Sequence, residues 1–131
     1  MIDQQIEQAL NDQIAMEARS SHFYLGMATW AETHGLNGTA AFLYRHSDEE
    51  REHMLKLIRF VNERGGTAHI PSLDAPTAEF SSLHAVFTTL LEHETKVTAS
   101  INEVVDLCLS RKDYTTHNLS LIHISEPTRQ D

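Results

Sequence analysis

Glycine and proline cluster at 35–38, at 65–66 and at 71–76, and the stretches between these breakers are long and helix-permissive. This punctuation predicts three helices, near residues 3–33, 38–64 and 82–111. The first would run about 45 Å at 1.5 Å per residue, the length of a bundle element. Asp3 and Ser82 are the expected N-caps, and Gly65 with Gly66 the C-terminal stop of the second helix. The connection around His34–Asn37 is tight and implies antiparallel neighbours. The segment Gly65–Ser81, with two prolines, is long enough to cross from one end of a bundle to the other. The expected fold class is therefore all-α: an antiparallel long-helix bundle with a long crossover.

A seam can be written along each helix by steps of four and three. The first runs through Leu10, Ile14, Glu17, Ser21, Tyr24 and Ala28. The second runs through Leu43, His46, Glu50, His53, Leu57 and Phe60. The third runs through Leu83, Phe87, Leu90, Glu94, Val97, Ile101, Val104 and Cys108. Each seam holds one acid where the pattern demands a hydrophobe. The lone cysteine, Cys108, cannot form an internal disulfide and fits a reducing compartment as a small core residue. No signal peptide or apolar span occurs in the first twenty residues, so a cytoplasmic protein without membrane attachment is expected. The formal charge of −9, from 19 acids against 10 bases, disfavours nucleic acid and favours cations as partners.

An ionised carboxylate in a low-dielectric core costs several kcal/mol unless it is paired or bound to metal. No Lys or Arg lies in the three seams, so ordinary ion pairs do not offer themselves. A multivalent cation does. Glu50 and His53 stand three apart on a helix, about 5–6 Å between Cβ atoms, and can reach one ion. Carboxylate oxygen with imidazole nitrogen suits iron, manganese or zinc better than calcium or magnesium. Each of these residues also has a plainer reading. Glu50 in the run DEEREH could belong to a solvated face, and Glu17 and Glu94 would be surface residues if the seam were rotated by one position. His46 is a satisfied core histidine or a hydrogen-bond partner behind a ligand. Tyr24 is a core tyrosine or brings its hydroxyl toward the ion. Glu49, one step off the seam, is solvated or holds an accessory ion.

From Met1 to Asn118 the chain resembles the bacterial non-haem ferritins. The residues that carry the likeness are Glu17 with Ser20, Ser21 and Tyr24, the run AAFLYRHSDEEREHM at 40–54, and the stretches SSLHAVF, LEHE and KDYTTHN. The resemblance implies that Glu17, Glu50 and His53 hold the first iron of a ferroxidase centre, that Glu50 bridges, and that Glu94 holds the second iron. It places Tyr24 beside that centre and Glu49 at an accessory third iron site. It further implies Fe(II) oxidation by dioxygen or peroxide, with ferric mineral stored inside a homo-oligomeric shell of twenty-four subunits. Haem is not expected, because Arg51 stands where bacterioferritins carry their haem-binding methionine.

After Asn118 the family continues into a fourth long helix with a further ligand for the second iron. Here residues 119–131 read LSLIHISEPTRQD, of which Leu119 to Arg129 resembles the in-frame translation of a transposon end used in preparing sequencing libraries; the alternative is a naturally shortened member of the family. The expected organisation is an incomplete ferritin-like domain over 1–118 and a tail outside the family over 119–131. A fourth helix would then be a stub from Thr115 to about Ser125, stopped by Pro127, and Glu126 would not be a ligand. The rivals to iron oxidation and storage are a rubrerythrin-like di-iron peroxidase, whose second Glu-x-x-His is missing, and a helical bundle without metal.

Overall fold

The computed structural model describes residues 1–125, with side chains through Ser120; Glu126, Pro127 and the rest of the tail lie outside the described residues. Four helices are present: α1 Gln4–Thr33, α2 Asn37–Glu63, α3 Leu83–Ser110 and α4 Tyr114–Ser125. No strand occurs among the described residues. Asp3 caps α1 by accepting hydrogen bonds from the Gln5 and Ile6 amides, and Ser82 caps α3 by accepting from Ala85. The turn after α1 uses Gly35 at φ 75°, and α2 ends at Gly65 with φ 87°, the left-handed conformation that glycine adopts without strain.

The hydrogen bonds that tie the helices together give their directions. Between α1 and α2, Ser21 meets Ser47 and Tyr44 donates to Glu32, so residue numbers rise on one helix as they fall on the other. Between α1 and α3, Gln13 meets Ser100 and Ser20 meets His93, again antiparallel. Between α2 and α3, His46 meets Glu94, and beyond the helix ends Arg64 meets Asp113. These two helices run parallel. Parallel neighbours require a crossover, and residues 65–81 supply it along α1. Near its start the Thr67 amide donates to Glu7 and the His69 amide to Asn11; near its end Phe80 packs against the Trp30 ring.

Two apolar clusters form the core. One joins Ile6, Leu10, Ile14, Leu57, Val61, Ile101, Val104 and Cys108; the other joins Tyr24, Met27, Ala31, Leu43, Val86 and Leu90. Burial pushes the Cys108 thiol up to about 11, consistent with the expected core residue. Between the clusters lies a buried polar layer of Gln13, Glu17, Ser20, His46, Ser47 and Glu50.

The seam drawn for α3 needs one correction. Leu83 and Phe87 are exposed, while Val86 is fully buried. The buried stripe runs through Val86 and then the expected Leu90, Val97, Ile101, Val104 and Cys108, with His93 and Glu94 both half-buried between Leu90 and Val97. His93 packs against the Phe23 and Tyr24 rings from α1. Glu94, on the expected seam, is half-buried, with its side chain 30% exposed.

Helix α4 is described over twelve residues and runs without a break past Asn118; the expected stop at Pro127 lies outside the described residues. Asp113 opens it by accepting from the amide and hydroxyl of Thr116, and Arg64 reaches the same carboxylate at 3.4 Å. Leu119 packs on the first apolar cluster.

Candidate metal centre

The polar layer brings Glu17 from α1 together with Glu50 and His53 from α2. One ligand atom from each lies within 4.8 Å of the others. Two metal–ligand bonds of about 2.1 Å span nearly that distance, so a small inward movement would close the three around one ion. His53 Nδ1 is 3.1 Å from Glu50 Oε1 and 3.9 Å from Glu17 Oε1. Glu50 is 6% exposed, and its second oxygen, Oε2, is buried with no hydrogen-bond partner among the described residues. Burial raises the Glu50 carboxyl above the ordinary carboxylate range. The negative charges of Glu17 and Glu94 add to this, against the hydrogen bond and charge of His53. A cation placed there would remove all three penalties.

Glu94 does not join that group. Its Oε1 is 2.6 Å from His46 Nε2, and the Tyr24 ring stands edge-on to the same imidazole with centroids 4.5 Å apart. Burial pushes the Glu94 carboxyl up, but the hydrogen bond and charge of His46 outweigh it, and the net shift is downward. The Tyr24 hydroxyl is buried and lies near Glu94 without hydrogen-bond geometry. Burial, and then the charges of Glu94, Glu50 and Glu17, raise its pKa far above that of a free phenol. Glu49 is half-buried beside Glu50 on α2.

Two polar residues of this layer escaped sequence reasoning. Gln13 is fully buried and donates from Nε2 to Glu17 Oε2 at 2.7 Å. Its position four residues before Glu17 was a signal, since that spacing puts two helical side chains on one face. His93 is 2.6 Å from the Ser20 hydroxyl and packs at a tilt against Phe23, with ring centroids 4.8 Å apart. Burial lowers its pKa, which favours the neutral ring. No helix among the described residues is long and apolar enough to cross a membrane.

Comparison with known proteins agrees with this architecture. A ferritin-like domain profile matches residues 7–127. A probable bacterial non-heme ferritin-like protein of Haemophilus influenzae is 38% identical over all 131 residues, which cover 79% of that relative. A bacterial non-heme ferritin of Campylobacter jejuni is 35% identical over the same span, covering 78% of its length. Among solved structures, Chlorobium tepidum ferritin superimposes with a TM-score of 0.92 at 38% identity, over 96% of this chain and 77% of its own. An open pore ferritin from Archaeoglobus fulgidus gives 0.91 at 34% identity, over 96% and 78%. With its crossover bundle, its central layer of acids and histidines, and this likeness along its whole length, the chain belongs to the ferritin-like family, among the bacterial non-haem ferritins.

Proposed function

We propose that this chain is an iron-storage subunit that oxidises Fe(II) to Fe(III) at a di-iron ferroxidase centre and delivers ferric mineral to a homo-oligomeric shell. The observation that carries the reading is the convergence of Glu17, Glu50 and His53 in a buried layer, with one Glu50 oxygen left without a protein donor. Two carboxylates and an imidazole are a donor set that suits iron. Fe(II) is here the substrate, and dioxygen or peroxide the acceptor of its electrons.

Each residue then has a distinct task. Glu17 and His53 hold the first ion from opposite helices, and His53 gives up the proton on Nδ1 when that nitrogen binds metal. Glu50 has one oxygen toward His53 and one unengaged, so it can face two ions. Glu94 takes the second ion once its carboxylate turns from His46, or shares its other oxygen while Oε1 stays on His46. Tyr24, held neutral by its surroundings, keeps a hydroxyl proton beside the carboxylates. Glu49 is the candidate for an accessory ion near the first two. Haem has no role in this reading.

A second reading rests on the histidine partners. His46 on Glu94 and His53 on Glu50 give the seam acids partners that carry no metal, so the layer could serve as a polar network in a bundle without iron. One experiment separates the two. Purified protein is titrated with Fe(II) under anaerobic conditions and then mixed with dioxygen in a stopped-flow absorbance instrument. Stoichiometric uptake followed by ferric absorbance, both lost in Glu50→Ala, supports the ferroxidase. No uptake above that of Glu50→Ala overturns it in favour of the network.

A further inference from the structure

A buried hydrogen-bond chain reaches the candidate centre from α3. Ser100 Oγ donates to Gln13 Oε1 at 2.6 Å, and Gln13 Nε2 donates to Glu17 Oε2 at 2.7 Å. Its direction is fixed by chemistry. An ionised carboxylate only accepts, so the Gln13 amide must present its nitrogen to Glu17, and its oxygen then faces Ser100, whose hydroxyl can donate. Gln13 is 0% exposed, so water cannot readily replace either bond. With Oε2 held from behind, Glu17 turns Oε1 inward, 3.9 Å from His53 Nδ1.

The structure assigns Gln13 and Ser100 as positioning residues: together they clamp one oxygen of Glu17 so that the other is presented, singly and in a fixed orientation, to a divalent cation. This rests on the reading of Glu17, Glu50 and His53 as a metal site. The consequence is a terminal, one-oxygen ligand on α1, in contrast to Glu50, whose two oxygens have different surroundings. Ser100 contributes only through Gln13, because the amide is interposed between the hydroxyl and the carboxylate. The chain also makes ligand geometry depend on the α1–α3 register, since Ser100 is the one member that α3 supplies.

Co(II) titration of the full chain, followed by visible absorbance, tests this without oxidation chemistry. Partners that hold a metal ligand from behind typically account for about 10- to 100-fold in affinity. Gln13→Met, close in volume but unable to donate, should weaken Co(II) binding by that order and alter the absorption envelope. Ser100→Ala should weaken it less, Ser100→Thr should restore it, and Ser100→Ala should add nothing in the Gln13→Met background. Unchanged affinity in Gln13→Met overturns the assignment, as do independent, additive losses in the double variant. Should Gln13→Met fail to fold, the Ser100→Ala and Ser100→Thr pair decides, equal affinities overturning it. Absence of Co(II) binding by the unaltered protein would instead remove the metal site itself.

Discussion

His46 Nε2 stands 2.6 Å from Glu94 Oε1, and this bond joins α2 to α3 at the level where Glu17, Glu50 and His53 converge. It accounts for Glu94 lying outside that group: the carboxylate has a partner that the other acids must share. Any ion taken by Glu94 competes with or builds on this bond, so the two ions of a pair should bind with unequal affinity.

Replacing His46 by Phe keeps the ring against Tyr24 but takes away the Glu94 partner. The variant should lose about 1–3 kcal/mol at neutral pH. The Glu94 carboxyl titrates below its ordinary value, so its stabilising contribution is present above the ordinary carboxylate range and disappears as pH falls through the folded value. Denaturant unfolding of both proteins at several pH values should show a gap that is widest near neutrality and narrows in acid. A gap that does not change with pH would show that the loss is one of packing alone.

Glu50 has the opposite sign. Burial raises its carboxyl, so its contribution to stability is present below the ordinary carboxylate pKa and is lost as pH rises through the folded value. Glu50→Gln should therefore raise the melting temperature of metal-free protein near pH 7 by roughly 2–5 °C and make no difference in acid. The same substitution should abolish tight Fe(II) binding, a trade of function for stability. Scanning calorimetry with and without metal checks both parts, and a lower melting temperature at pH 7 would show that Glu50 is already well compensated.

The fold was largely legible because breakers and caps act locally. Asp3, Ser82, Gly65 and the crossover all took their expected places, while the expected stop of the fourth helix at Pro127 lies outside the described residues. The grouping of Glu17, Glu50 and His53 was legible on α1 and α2, where all three sit on the seams. The pattern was less clear on α3, where the first two seam positions, Leu83 and Phe87, are exposed and Val86 is buried instead. Contacts from other helices, Phe23 and Tyr24 beside His93 and His46 on Glu94, decide how these two half-buried residues lie. Gln13 was missed because its one signal, the four-residue spacing to Glu17, is easily met among the amides and acids of α1, and its second partner, Ser100, lies on another helix.

Tyr24 is surrounded by burial and three carboxylates, all of which oppose its ionisation. Alkaline titrations of native protein and of Tyr24→Phe, followed at the tyrosinate band, should superimpose until unfolding, because Tyr24 contributes nothing to the native curve. The hydroxyl should matter to the reaction instead. Tyr24→Phe should leave Fe(II) affinity unchanged and slow oxidation roughly tenfold, less than the loss of a full general acid. Equal rates in stopped-flow measurements would return Tyr24 to a purely structural role.

The crossover also lies close against α1 at Gly26, and this approach limits how the connection can lie. A Cβ added to Gly26 would fall inside the van der Waals contact of the Thr77 carbonyl oxygen, with Pro76 Cβ a further 3.4 Å neighbour. The obstacle is backbone, so a rotamer change cannot relieve it. Gly26→Ala should gain about 1 kcal/mol from helix propensity yet lose more than it gains, for a net destabilisation of about 1–3 kcal/mol. Movement of the crossover would also disturb Phe80, which packs on Trp30 a turn further along α1. Denaturant unfolding gives the energy, and amide exchange over residues 72–80 gives the location. Full stability in Gly26→Ala would mean that the crossover can lift from α1 at no cost, and that the bundle does not depend on its path.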